Sequence, residues 1–237
     1  MTEEKGFYME KVLITGGNKG IGLELTKLFV ENGYQVIVIA RDFKDFKIDS
    51  VEKIVYDLSD VNGIEELVHK IGYVDILINN AGFMNSLDYN KYPIERRDKL
   101  MNINLYSPVA LITYMSEYML EHKKGRIVNT ASVAGQMGSL DIWYGISKAG
   151  IINATKAFAR LLGSKGIIIN AVAPGPVETE MLNVVPEKRR EFLKGNTYAN
   201  RFAKAEEVAK TIYWLATESP EYINGVCVDL NNGAFPR

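Results

Sequence analysis

The sequence predicts an α/β fold: one doubly wound, seven-stranded parallel sheet with helices on both faces, in three αβα layers. Three observations predict it. Short apolar runs alternate with stretches of helical period along all 237 residues. The runs are nearly continuous in hydrophobicity, as strands buried on both faces of a parallel sheet are. A glycine cluster, "TGGNKGIG" at 15–22, joins the first run to the first helical stretch. Strand–helix alternation with right-handed crossovers gives one doubly wound sheet. No Pro/Gly-rich linker or internal repeat divides the chain, so residues 1–237 are expected to form a single domain.

The elements follow in order. "KVLIT" (11–15) is the first strand, and Ile21, Leu25, Leu28 and Phe29 mark one face of a helix ending near Gly33. "YQVIVIA" (34–40) and "KIVYDL" (53–58) are the next strands, with a connection too short for a full helix. "GIEELVHKIG" (63–72) is a helix and "VDILINN" (74–80) the fourth strand. A helix runs from about Ser107 to Glu121, and "RIVNTAS" (126–132) is the fifth strand. Ile151, Ala154, Phe158 and Leu161 mark the helix that begins near Tyr144. "GIIINAVAP" (166–174), the helix "KAEEVAKTIYWLA" (204–216) and "GVCVDL" (225–230) complete the sheet. The irregular segment 175–203 follows the sixth strand on the ligand-binding edge, which makes it a candidate lid.

Composition excludes several classes. Apolar residues make up 47% and charged residues 24%, with a net charge of −1, so no basic nucleic-acid surface is expected. Cys227 is the only cysteine, which rules out an intrachain disulfide and argues against a cysteine metal site. His69 and His122 lack partners at ligand spacing, and no metal is expected. The N-terminal "MTEEKGFYMEK" has no apolar h-region, and no stretch reads as a membrane span, so a cytoplasmic protein is expected. Met9 could equally begin the chain.

The glycine loop has the context of a dinucleotide site: strand, glycines, helix. Gly16, Gly20 and Gly22 permit a tight turn and a close backbone approach to a pyrophosphate at the helix N-terminus. No acid occupies the tip of the second strand, where Ala40 and Arg41 stand, although Asp42 follows. Lys19 lies in the loop itself. Two cations and no carboxylate at the ribose suit a 2′-phosphate, hence NADP(H) over NAD(H).

"YGISK" (144–148) places Tyr144 and Lys148 at i and i+4, on one helix face. A nearby ammonium favours phenolate and is expected to lower the tyrosine pKa, fitting it to exchange a proton with a carbonyl oxygen. Ser132, at the end of the fifth strand, is positioned to hold the same oxygen.

Together these motifs resemble the short-chain dehydrogenase/reductase family over essentially the whole chain, most closely the branch of 3-oxoacyl-(acyl carrier protein) reductases. The matching residues are "TGGNKGIG", "NNAG" (79–82), Asn104 in "MNINL", Ser132 in "TASVAG", "YGISK" and "PG" (174–175). The resemblance implies a Rossmann-type sheet and a catalytic set of Asn104, Ser132, Tyr144 and Lys148. It implies a cofactor site of Gly16, Asn18, Lys19, Gly20, Ile21, Gly22, Arg41, Asp57, Leu58, Asn80, Ala81, Gly82, Pro174, Gly175, Val177 and Thr179, shared with Tyr144 and Lys148. It further implies a homotetramer or homodimer pairing through 107–121 and 144–162, for which Tyr114, Tyr118 and Phe158 offer apolar material.

The expected activity is NADPH-dependent reduction of a ketone or 3-oxoacyl group. NADP-dependent oxidation of a sugar or secondary alcohol is the alternative, and a dinucleotide-binding sensor or scaffold the non-enzyme alternative. An acyl carrier protein is a conceivable partner, drawn by Lys123, Lys124, Arg126 and Lys165.

Overall fold

The computed structural model describes residues 8–236, so the extension expected ahead of Met9 lies, for residues 1–7, outside the described residues. Seven strands form one sheet in the order β3-β2-β1-β4-β5-β6-β7, every pair parallel. They are β1 (Lys11–Thr15), β2 (Gln35–Ala40), β3 (Glu52–Val55), β4 (Ile76–Asn79), β5 (Gly125–Thr130), β6 (Ile167–Pro174) and β7 (Cys227–Leu230). The helices are α1 (Gly20–Glu31), α2 (Ile64–Ile71), α3 (Ile94–Met101), α4 (Ser107–His122), α5 (Ala134–Met137), α6 (Ile142–Leu162), α7 (Glu187–Gly195) and α8 (Ala205–Thr217). Strand order reverses between β1 and β4, which opens a crevice at the carboxyl ends of the strands.

Side-chain alternation along each strand feeds two separate apolar layers. Leu13, Leu77 and Ile127 meet Leu67 of α2, Met115 of α4 and Ala159 of α6 on one face. Val12, Ile14, Ile78 and Val128 meet Phe29 of α1 and Ile212 of α8 on the other. The central strands are buried on both sides, as their continuous runs predict. The edge strands are not: Val55 of β3 is 69% exposed.

Three features depart from the sequence reading or refine it. The β2–β3 connection carries no helix; Phe46 and Val51 fold over the α1 side instead and bury there. The helix expected from Ser107 begins thirteen residues earlier, as α3, then a π-helical turn at Asn102–Tyr106, then α4. α3 reads "IERRDKLM", too polar for its period to show. Segment 175–203 is not wholly irregular, since it holds a 3₁₀ turn at Glu180–Val184 and α7. No residue of α7 is buried, so it lacks the apolar stripe that sequence reading needs.

Tyr114, Tyr118 and Phe158, expected as interface material, pack half-buried against the core, while Ile146 and Leu161 of α6 remain exposed. Met115 and Met119 are fully buried packing residues. His69 bonds the Tyr118 hydroxyl at 2.9 Å and His122 stacks on Tyr73. Of the basic set at the amino edge of β5 and β6, Lys124 pairs with Glu10, and Arg126 donates to Ser219 and the Leu215 carbonyl. Among the described residues, no helix is long and apolar enough to cross a membrane, and no cluster of three His, Cys, Asp or Glu could hold a metal.

Candidate active site

The segments leaving the carboxyl ends of β1 to β6 bring the expected residues to one edge. In the loop after β1, Gly16 and Gly20 have φ of +66° and +54°, the left-handed region that glycine enters without strain. A Cβ on Gly22 would lie 2.0 Å from the Gly16 carbonyl oxygen and 2.7 Å from Asn80 Nδ2, so the turn closes only around a glycine. The N-terminus of α1, with Gly20 and Ile21 in its first turn, has no side-chain cap and no acid. Its free N–H groups and dipole suit a phosphate, and these residues fit a dinucleotide. Asn18 braces the loop by donating to the Asp42 carbonyl at 2.9 Å.

The segment after β4 is locked onto that loop. Thr15 Oγ1 accepts from the Asn80 and Ala81 N–H groups, both at 3.0 Å. Asn80 Nδ2 donates back to the Thr15 and Gly16 carbonyls at 3.1 and 3.3 Å. Gly82 leaves room beside Lys148: a Cβ there would stand 3.4 Å from Nζ.

Arg41 is exposed at the tip of β2. Burial pushes the Asp57 carboxyl up, but hydrogen bonds from Ser59 and the charges of Lys99 and Arg41 outweigh it, and its pKa ends below the usual value. Leu58 is buried, its carbonyl accepting from Ser107 Oγ. Lys19 reaches across to Glu180 at 2.9 Å, both side chains well exposed. Thr179 packs over Gly20. Pro174 ends β6, and the Gly175 N–H donates to the Leu230 carbonyl. Val177 turns its side chain into the apolar core, which leaves only its main chain for a ligand.

Tyr144 and Lys148 sit on the first two turns of α6. Lys148 is 4% exposed and donates to the Thr130 carbonyl at 2.7 Å, with Nζ 5.9 Å from the Tyr144 ring centre. Burial brings its pKa down to about 8. Tyr144 does not show the expected lowering. Burial pushes its pKa up and the Asp141 charge adds to this, while the hydrogen bond with Ser132 opposes them. The expectation assumed a full cation at the phenol; here the ammonium is directed at a carbonyl and is itself destabilised by burial.

Asn104 lies inside the π-helical turn, a distortion frequent at functional sites. Its Oδ1 accepts from the Phe83 N–H at 3.0 Å, and its Nδ2 donates to the Phe83 carbonyl at 2.9 Å and to Ser147 Oγ at 3.2 Å. Ser147 in turn donates to the Tyr144 carbonyl at 2.8 Å.

Sequence reasoning missed Thr15, Ser147 and Asp141. Asp141 left a signal: an aspartate just before a helical period is an N-cap signature. Thr15 and Ser147 left none, because their role depends on which segments the fold brings together.

Comparison with known proteins gives matching results. The short chain dehydrogenase family model matches residues 10–190. The 3-oxoacyl-[acyl-carrier-protein] reductase FabG of Thermotoga maritima is 35% identical over 93% of this chain and 96% of that protein. The FabG of Vibrio cholerae is 31% identical over 94% and 96%. Among solved structures, ElxO with NADP bound superposes with a TM-score of 0.87 at 29% identity, covering 97% of this chain and all of that one. A Beutenbergia cavernae protein with bound NADP, provisionally assigned as an NAD(P) dependent gluconate 5-dehydrogenase, gives a TM-score of 0.90 at 25% identity, over 97% and 98%.

Proposed function

The chain belongs to the short-chain dehydrogenase family and is thereby an oxidoreductase of CH–OH and C=O groups; on that premise we propose that it is an NADPH-dependent carbonyl reductase acting on a ketone or 3-oxoacyl group. One observation carries the reading: buried Lys148 sits one turn after Tyr144 on α6, its Nζ 5.9 Å from the Tyr144 ring centre, beside a glycine loop shaped for phosphate.

The residues divide the work. Bound NADPH supplies a hydride to the carbonyl carbon. Ser132 donates to the carbonyl oxygen and orients it. Tyr144 gives that oxygen its phenolic proton as negative charge develops there. Lys148, held at the Thr130 carbonyl, is placed to bond the nicotinamide ribose. The side chain of Asn104 is already committed to Phe83 and Ser147, so its part in a proton relay runs through its main-chain carbonyl. The glycine loop, Asn80, Ala81, Gly175 and Thr179 hold the remainder of the dinucleotide, with Lys19 and Arg41 at the 2′-phosphate.

This reading takes residues 1–237 as one cytoplasmic, homo-oligomeric domain. The substrate form named for the FabG relatives, a 3-oxoacyl group on an acyl carrier protein, falls within it. Docking of such a carrier is left chiefly to Lys123 and Lys165, since Lys124 and Arg126 are engaged within the subunit. A second reading, oxidation of a sugar or secondary alcohol, draws on the likeness to the Beutenbergia cavernae structure. The test is NADPH consumption with small ketones and 3-oxoacyl thioesters, set beside NADP⁺ reduction with gluconate and simple secondary alcohols. Activity on the alcohols alone would favour the second reading. NADPH binding without turnover of either set would favour a sensor.

A further inference from the structure

Asp141 is fully buried, yet no ion pair among the described residues includes it. Buried carboxylates ordinarily sit against a cation. This one is satisfied by main-chain N–H groups from two separate segments. Its Oδ1 accepts from the Tyr144 N–H at 3.2 Å, which caps α6. Its Oδ2 accepts from the Asn85 and Ser86 N–H groups at 3.0 and 2.8 Å, in the loop after β4. Capping a helix needs one oxygen, and serine or threonine supplies it as well. The second oxygen serves only the loop.

The loop needs the anchor. Ser86 has φ +56°, uncommon for a residue with a Cβ. Upstream, Asn104 clamps both the N–H and the carbonyl of Phe83. Asn85 Nδ2 donates to the Tyr92 hydroxyl at 2.8 Å. From α7, Arg189 Nη1 reaches Ser86 Oγ at 3.4 Å. A continuous chain thus runs from α7, through Ser86 and Asp141, to the backbone of Tyr144.

We propose that Asp141 is a positioning residue, one carboxylate that fixes the substrate-side loop 83–86 and Tyr144 relative to each other. The inference rests on Tyr144 being the proton donor of the reading above. The carboxylate also acts on the phenol by charge. The groups facing Tyr144 are Lys148 and Asp141 on its own helix and Ser132 from the segment after β5. Those facing Asp141 are Asn85, Ser86 and Tyr92 from the loop after β4, with Arg189 of α7 behind Ser86. A negative neighbour disfavours phenolate, so removing it moves the tyrosine titration to lower pH.

Asp141→Ser separates the two jobs, because it keeps a helix-capping oxygen and removes the charge and the loop anchor. With ethyl acetoacetate and NADPH, kcat/KM should fall on the order of 10–100-fold. The tyrosine limb of the pH–rate profile should shift to lower pH, while melting temperature and NADPH Kd stay near wild type. Unchanged kcat/KM and an unmoved limb would overturn the proposal. So would a parallel loss of melting temperature and NADPH binding, the mark of a simple cap. If Asp141→Ser does not fold, Asp141→Asn carries the same measurements, since it loses the charge and presents a donor to one set of N–H groups. If the wild type reduces no ketone, it is the functional reading that fails. Hydrogen exchange at the Asn85 and Ser86 amides then decides the anchor: protection in the wild type and release in Asp141→Ser support it, and equal exchange overturns it.

Discussion

Lys148 directs its ammonium at the carbonyl of Thr130, 2.7 Å away, rather than at the phenol of Tyr144 four residues earlier. The ion is buried without a carboxylate, and its pKa falls from 10.5 to about 8. Between those values the unfolded chain binds a proton that the folded chain has lost, so this group adds stability as pH rises through the window. Six tyrosines (Tyr8, Tyr34, Tyr56, Tyr73, Tyr92 and Tyr144) have raised pKa values, and they withdraw stability once pH exceeds their unfolded value of 10. The clean interval is therefore pH 8 to 10. Across it, wild type should gain on Lys148→Met by about 1–3 kcal/mol in denaturant unfolding. A constant difference would mean that the lysine is not destabilised by burial.

Tyr144→Phe removes one hydroxyl whose polar neighbour is Ser132. NADPH affinity and melting temperature should stay close to wild type, while turnover falls about 10²–10⁴-fold. Because burial and Asp141 both raise the phenol pKa in the free protein, its ionisation should be seen only well into the alkaline range without cofactor. Ultraviolet difference titration of wild type against Tyr144→Phe measures this; a phenol titrating near neutrality in the free protein would contradict it.

The pattern of this sequence reveals most where burial is complete. Val12 to Ile14 and the whole of β6 are buried, and their apolar runs identify them as strands. The glycine loop and Tyr144–Lys148 are legible for another reason: both are local, needing only spacing on one element. What failed to show is either polar or non-local. α3 and α7 present little apolar surface, so no period marks them. Thr15 serves the site through Asn80 and Ala81, some 65 residues away, and only the β1–β4 pairing brings them together. The direction of the Tyr144 shift is not legible in the sequence, because spacing gives proximity to Lys148 but neither the burial nor the direction of the ammonium.

Gly22→Ala tests the dinucleotide loop without touching catalysis. A Cβ at 2.0 Å from the Gly16 oxygen cannot be absorbed by a flexible side chain, because the obstacle is backbone. The loop must open, and NADPH affinity should fall by at least about tenfold, corresponding to about 1.4 kcal/mol. Gly33→Ala is the control: its φ of +79° strains an alanine by conformation, which Gly22 does not share, but nothing stands within 4 Å and it lies at the far end of α1. It should lower melting temperature and leave NADPH binding unchanged. Calorimetric titration of both variants measures the difference, and equal Kd values would remove the loop from the cofactor site.

The Lys19–Glu180 pair bears on the proposed preference for a 2′-phosphate. The glycine-loop cation is paired at 2.9 Å with a carboxylate from the segment after β6, and both groups are more than half exposed. An exposed pair of this kind is worth about 0–1 kcal/mol, so a dianionic phosphate displaces it readily, yet the carboxylate still competes. Arg41 has no such partner among the ion pairs of the described residues, which leaves its guanidinium open to bidentate phosphate contact. Lys19→Ala with Arg41→Ala should weaken NADPH far more than NADH. Glu180→Gln should do the reverse, tightening NADPH by about 2–5-fold with NADH unchanged, as expected when a competitor worth up to about 1 kcal/mol is removed. The advantage should shrink as salt is raised from 0.05 to about 0.5 M, because both the pair and the phosphate contact are screened. Equal NADH and NADPH affinity in the wild type would refute the cofactor assignment. Unchanged NADPH affinity in Glu180→Gln would refute only the competition.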